Sequence, residues 1–374
     1  MDLALTESQE ALKTVARSFM EREAPKDVIA DLRKNDSGLT PDVWAKAADL
    51  GWLGILVAPE YGGSGGSLSD AAVLYEELGR GPLPGPFFSS GVLGVLVLTE
   101  GATEEQRRAL LPAVANGERV LAVAVTEPQA SWGAQGVTLK PQRIDGGYRL
   151  DGTKLFVSDA TSASDLIVAV RTGDGPRDVS LLLVDARTPG VSVRRLPGFL
   201  SWQCEVTFER VDVSAAGLLG GREHQGWLAF ERALVRAVPV LCAYMVGGCQ
   251  AVFEMSVAYS QSRVQFGVPI GRFQRVQDHI IRLVNHLDSA RWTTWEALWK
   301  LDSGRPAASS VHMAKAVTSE AYLEACNAAH EVHAGIATMY EYGLVAHTQA
   351  SRTLFHYLGD PRWHKRRMAD ALEW

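Results

Sequence analysis

Residues 262–277 read SRVQFGVPIGRFQRVQ. The string sets an arginine, a Phe-Gly pair, a proline and a Phe-Gln pair between two helical runs. Downstream, Phe273, Val276, Ile280, Leu283 and Leu287 step by three and four, which predicts the core stripe of a bundle helix. A turn between helices needs Gly267 and Pro269. It does not need Arg263, and the string does not by itself say what that arginine is for. Taken alone, the string still reads as a solvated inter-helix loop with an incidental arginine.

Upstream the period changes. From about 119 to 215 the runs VLAVAV, GYRLDG, DLIVAV, VSLLLVDA, VSVRRL and EVTFERVDV are short, apolar or alternating, and glycine, proline and aspartate separate them. This predicts a β block, a small antiparallel barrel or sandwich. The first 115 residues read as helices. Thr6/Gln9 and Thr103/Gln106 form capping boxes, Thr40-Pro41 gives an N-cap with proline at N1, and Gly51 stops that helix. Ser67 opens a helix ending in YEELGR (75–80), and GPLPGPFF (81–88) interrupts the helical pattern. The fold class is therefore α+β: a helical lobe over 1–115, a β domain over 116–218 and a helical bundle over 219–374.

Bulk composition narrows the function. The 374 residues are 47% hydrophobic and 21% charged, ordinary for a globular protein. A net charge of −6 argues against general nucleic-acid binding. Cys204, Cys242, Cys249 and Cys326 show neither a C-x-x-C pair nor metal spacing, so reduced core thiols and a cytoplasmic location are expected. The acidic opening MDLALTESQE is unlike a signal peptide, and the apolar runs read as too short to span a bilayer.

Four segments carry chemistry in a fixed order: VAVTEP (123–128), DGTKLFVSDA (151–160), SRVQFGVPIGRFQRVQ and EVHAGIATMYEY (331–342). With LGWLGILVAPEYGGSG (50–65) and YEELGR they resemble the acyl-CoA dehydrogenase family along essentially the whole chain. The resemblance implies an acyl-CoA dehydrogenase-like fold with an N-terminal helical domain, a middle β-barrel domain and a C-terminal four-helix bundle, with FAD as cofactor, an acyl-CoA substrate and desaturation between Cα and Cβ. A carboxylate would take the Cα proton and the flavin the Cβ hydride. It further implies a homo- or hetero-oligomer, a dimer of dimers, a role in lipid metabolism and an electron-transfer flavoprotein as acceptor.

By the same resemblance, Arg263 would reach the pyrophosphate of a neighbouring subunit's FAD, where a forked guanidinium suits a diphosphate. Phe266 would pack on the adenosine side, Gln274 would hydrogen-bond the cofactor, and Gly335 keeps a glycine of the cofactor segment. Thr126 and Ser158 would aim hydroxyls at the flavin. Phe156 stands where the family usually has tryptophan, and its plain alternative is a core strand aromatic. FHYLGDPRWH (355–364) puts Leu358 at one of the family's two base positions, and leucine cannot accept a proton. Its backbone N–H could still serve the thioester oxygen. LAFERALVRA (228–237) puts Glu231 at the other base position, with Arg232 in the CoA-binding register. The helical neighbours of Glu231 at three and four residues include no cation, so no local helix ion pair explains it.

Two departures stand out. TEPQASWGAQG (126–136) has Ser131 and Trp132 where the family has glycine and serine, and the indole threatens this chain's own flavin or substrate channel. EVHAGIA (331–337) has Glu331, Ala334 and Ala337 where the family favours glutamine and glycines. These changes open a second expectation, a catalytically silent partner subunit of a heterotetramer that lends its arginine loop to another chain. A family member acting on something other than an acyl-CoA is a third.

Overall fold

The computed structural model describes residues 4–32, 38, 40–129, 131–198 and 203–374. In chain order the elements are α1 (Glu7–Glu23), α2 (Lys26–Leu32), α3 (Pro41–Asp49), α4 (Leu68–Arg80), α5 (Val95–Gly101), α6 (Glu104–Ala115), β1 (Leu121–Ala124), β2 (Gln142–Ile144), β3 (Gly147–Ser158), β4 (Asp165–Arg171), β5 (Val179–Asp185), β6 (Val191–Arg195), β7 (Gln203–Ser214), α7 (Gly226–Ser262), β8 (Val264–Gln265), β9 (Val268–Pro269), α8 (Gln274–Asp302), α9 (Ala308–His333), α10 (Leu344–His356) and α11 (Pro361–Ala371). A π-helix, Ser89–Gly94, leads into α5. Helices, then strands, then helices is the order the sequence predicts.

The described residues form two compact units. One holds Met1–Asp31, Leu68–Leu83 and Val238–Trp374. In it α1 is anchored to α4 by the Arg17 guanidinium, which forks onto the buried Glu77 carboxylate at 3.0 and 2.8 Å. A Cβ on Gly79 would strike the Tyr244 backbone, and one on Gly247 the Glu76 backbone, so α4 and α7 cross at glycines because only glycine permits that approach. The start of α4 is capped from afar: the Asp302 carboxylate accepts from the N–H groups of Leu68 at 3.1 Å and Ser69 at 3.0 Å. The capping boxes of Thr6/Gln9 and Thr103/Gln106 form as the sequence predicts.

The expected core stripe on α8 is only half buried. Leu283 and Leu287 are enclosed, whereas Phe273 is exposed and Val276 and Ile280 are partly covered. The first turns of α8 follow an exposed hairpin and have less chain packed over them. α7 also corrects an expectation. An 18-residue window has a mean hydropathy of 1.4, long and apolar enough to cross a membrane by composition, yet 61% of that window is buried inside the protein. A core helix enclosed by other helices needs the same composition.

The second unit holds Leu32–Ser67 and Pro84–Ala237. Its strands make two sheets, β1-β4-β5 and β2-β3-β7-β6. The second is antiparallel throughout. The first is mixed, because β1 pairs with β4 in parallel, which the expectation of an antiparallel block missed. Alternation within a strand reports its faces, not its partner's direction. Leu150, Leu166, Val168, Leu182, Val206 and Phe208 fill one shared core.

Candidate functional site

The site is built where β1 and β3 end. The Leu155 N–H donates to the Thr126 carbonyl at 2.8 Å, so the first two motif segments lie side by side. The β3–β7 register shifts between Lys154 and Val157, and Phe156 takes φ 55 within that irregularity. A bulge re-aims a side chain. Phe156 is accordingly 44% exposed and is not a core strand aromatic. Thr126 and Ser158 are half-buried, and neither side-chain hydroxyl hydrogen-bonds to a described residue of the chain. The ends of β1 and β3 therefore present an exposed ring and two hydroxyls without a hydrogen-bond partner among the described residues.

Under this surface lies a pair the sequence reading passed over. The Lys154 ammonium is fully buried and donates to the Glu127 carboxylate at 2.8 Å and to the Val125 carbonyl at 3.2 Å. Glu127 also accepts from the N–H groups of Thr138 and Leu139 and from the Thr138 hydroxyl. Burial pushes the Glu127 carboxyl upward, but Lys154 and these donors outweigh burial and hold it below its usual range. Burial pushes the Lys154 amine down to about 8 against the pull of Glu127. The available signal was that Glu127 and Lys154 stand inside the VAVTEP and DGTKLFVSDA segments. Beyond the bulge, Asp159 is buried and accepts from the Ser89 hydroxyl at 2.6 Å, and burial raises its carboxyl to about 6.

The departure loop is held in shape. The Arg171 guanidinium donates to the carbonyls of Val137 at 3.0 Å, Gly175 at 2.6 Å and Ala134. Trp132 is half-buried, and its carbonyl accepts from the Gln135 amide at 3.4 Å.

Glu231 lies on the first turns of α7, and its carboxylate pairs with the Arg177 guanidinium. No cation stands at helical spacing from Glu231, and the partner arrives instead from the β4–β5 loop, which spacing along one helix cannot reveal. Arg232 is exposed one residue on.

The arginine string forms a two-residue hairpin between β8 and β9. Phe266 at φ 53 and Gly267 at φ 80 form its turn. Phe266 is 93% exposed and meets Phe273 edge to face at 6.1 Å. Arg263 and Gln274 are exposed. Farther along, His333 is buried between the Tyr342 hydroxyl at 2.8 Å and the Ser256 hydroxyl at 3.2 Å. The Ser256 hydroxyl donates to Val252, so it accepts from the His333 Nε2–H, leaving Nδ1 to accept from Tyr342. Burial, His330 and Lys26 push the imidazole down to about 4, so it is neutral. Ala334 has φ 53 and ψ −136, a conformation suited to glycine, so its methyl introduces strain as well as bulk. Gly335 and Glu331 are exposed, and Ala337 is fully buried. Leu358 has φ 59, and its N–H makes no hydrogen bond to a described residue.

Family models match almost end to end: acyl-CoA dehydrogenase N-terminal domain at residues 6–118, middle domain at 122–211 and C-terminal domain at 224–373. The chain belongs to the acyl-CoA dehydrogenase family. The probable acyl-CoA dehydrogenase YngJ of Bacillus subtilis (strain 168) is 32% identical, over 92% of each chain. Among solved structures, PigA with FAD and proline superposes with a TM-score of 0.91 at 28% identity, covering 100% of this chain and 99% of that one. A variant of the Tcur3481-Tcur3483 steroid ACAD superposes with a TM-score of 0.86 at 26% identity, covering 98% of each.

Proposed function

We propose that this chain is an FAD-dependent acyl-CoA dehydrogenase that desaturates an acyl-CoA thioester between Cα and Cβ. The observation that carries the proposal is the exposed Phe156 ring beside the unused hydroxyls of Thr126 and Ser158. These three residues would hold the flavin ring. When bound, the flavin supplies the acceptor for the Cβ hydride.

The protein's own part is proton transfer and charge stabilisation. Glu231 takes the Cα proton as the double bond forms, with Arg177 withdrawing from its carboxylate as substrate enters. Arg232 meets the CoA moiety. Negative charge builds on the thioester oxygen as the proton leaves. The Leu358 N–H, free of any partner among the described residues, donates to that oxygen. Arg263, Phe266, Gln274 and Gly335 serve the cofactor of a neighbouring chain in an oligomer, and an electron-transfer flavoprotein takes the electrons onward. Phe266 supports this role: it is apolar, strained and almost fully in water, a cost that no contact within the described chain offsets beyond its edge against Phe273. The four cysteines are buried thiols, and the proposed setting is lipid metabolism in the cytoplasm.

Trp132 supports a second reading, a silent partner subunit whose hairpin completes another chain's FAD site. The deciding experiment purifies the chain alone and measures its visible spectrum and flavin-to-protein ratio. Stoichiometric FAD, with turnover of an acyl-CoA panel that Glu231→Gln abolishes, supports the complete enzyme. A colourless chain that turns yellow only with a second family chain present assigns it to the partner role.

A further inference from the structure

Lys315 on α9 is fully buried, and its ammonium makes no ion pair among the described residues. Buried ammonium groups normally find a carboxylate. This one donates instead to the Ser319 hydroxyl at 2.8 Å and to backbone carbonyls, chiefly Leu354 at 3.0 Å and Gly359 at 3.1 Å, with Phe355 at 3.5 Å. Leu354 lies in the last turn of α10, where carbonyls lack helical partners. Gly359 lies just past the left-handed Leu358. One ammonium therefore ties both sides of the Tyr357–Gly359 turn.

A second tie fixes the peptide between them. His364 is buried, and its Nε2–H donates to the Leu358 carbonyl at 3.1 Å. Its Nδ1 lies 2.9 Å from Nδ1 of buried His312. With the His364 proton committed to Nε2, Nδ1 must accept from the His312 Nδ1–H, so the His364 ring is neutral, and burial pushes His312 down to about 4. Gly359 permits this closeness: a Cβ there would stand 2.8 Å from His364 Nε2. The carbonyls of Leu354, Leu358 and Gly359 are thus all held, while the Leu358 N–H is left free in a strained backbone conformation. Strain persists where its surroundings over-determine it, and here they leave one donor unsatisfied.

We propose that Lys315 is a positioning residue for the reaction. It aims the Leu358 N–H at the thioester oxygen, with His364, backed by His312, as its second anchor. The inference rests on the acyl-thioester reading above. Lys315 touches no substrate atom and acts through the turn it ties.

The test uses the FAD-loaded chain and acetyl-CoA carrying 13C at the carbonyl, which lacks a Cβ and cannot be desaturated. Infrared difference spectra read the polarisation of the bound thioester. In the unsubstituted chain the carbonyl band moves to lower frequency on binding. Lys315→Met binds acetyl-CoA with the same affinity but loses most of that shift, and its kcat on a desaturable acyl-CoA falls about a hundredfold with KM little changed. A merely structural role would lower the folded fraction and leave the band of the bound thioester in place. A full shift retained in Lys315→Met overturns the inference and leaves the acyl-thioester reading standing. No shift in the unsubstituted chain overturns that reading and this inference together. Should Lys315→Met fail to fold, Lys315→Gln decides by the same band, since it keeps an amide donor but not the reach to both carbonyls.

Discussion

The Lys154 ammonium lies 2.8 Å from the Glu127 carboxylate, with both side chains out of water. This contact joins the end of the first strand motif to the middle of the second, and so sets the spacing between Thr126 and Phe156. Removing one member leaves the other charge buried and unpaired. Lys154→Met should cost about 3–5 kcal/mol in urea unfolding, and Lys154→Met with Glu127→Leu should cost less than the sum of the single changes. Because the Glu127 carboxyl is held below its usual range, its contribution is complete above the unfolded carboxylate range and is lost as pH falls through the lower folded value.

The buried imidazoles set a second acid limit. Burial pushes His312 and His333 down to about 4, from an unperturbed value of 6.5. Folding therefore disfavours their protonated forms. Their contribution is complete above 6.5 and disappears as pH falls toward 4. Urea midpoints should drop across this window, and His333→Gln should flatten the drop. An unchanged slope in His333→Gln would assign the acid loss to other groups.

Ala334 holds a conformation suited to glycine. Ala334→Gly should raise stability by about 1 kcal/mol, read from the urea midpoint, because relief of strain exceeds the added freedom of the unfolded chain. The same change tests how far this methyl limits flavin uptake.

The crossing of α4 and α7 depends on Gly79 and Gly247. A methyl at either meets backbone, which cannot swing aside as a side chain can. Gly79→Ala should destabilise the chain by at least about 1–3 kcal/mol and lower its thermal midpoint, whereas Gly304→Ala, at an open turn with φ 66, should cost only its backbone strain.

Arg263 and Phe266 project from the hairpin without support from the core. Phe266→Gly should leave the thermal midpoint of the isolated chain unchanged or raised, since glycine accepts φ 53 freely. Arg263→Ala should likewise leave folding intact while lowering the flavin-to-protein ratio of the oligomer. A fall in both melting temperature and flavin would make the hairpin a structural element of this chain alone.

Sequence by itself determined the order of helices, strands and helices, the caps at Thr6, Thr40 and Thr103, and the segments that carry Thr126, Phe156, Arg263 and Glu231. Those features are local. Caps, periodicity and motif spacing act over a few residues, so adjacent side chains record them. Tertiary structure alone decided the partner of each site residue. The parallel pairing of β1 with β4, the bulge that turns Phe156 outward, the Arg177–Glu231 pair and the buried Lys154 and Lys315 all join residues far apart in the chain. A buried charge is stable only where folding delivers its counter-charge or a set of carbonyls. No stretch of sequence holds both halves of such a pair.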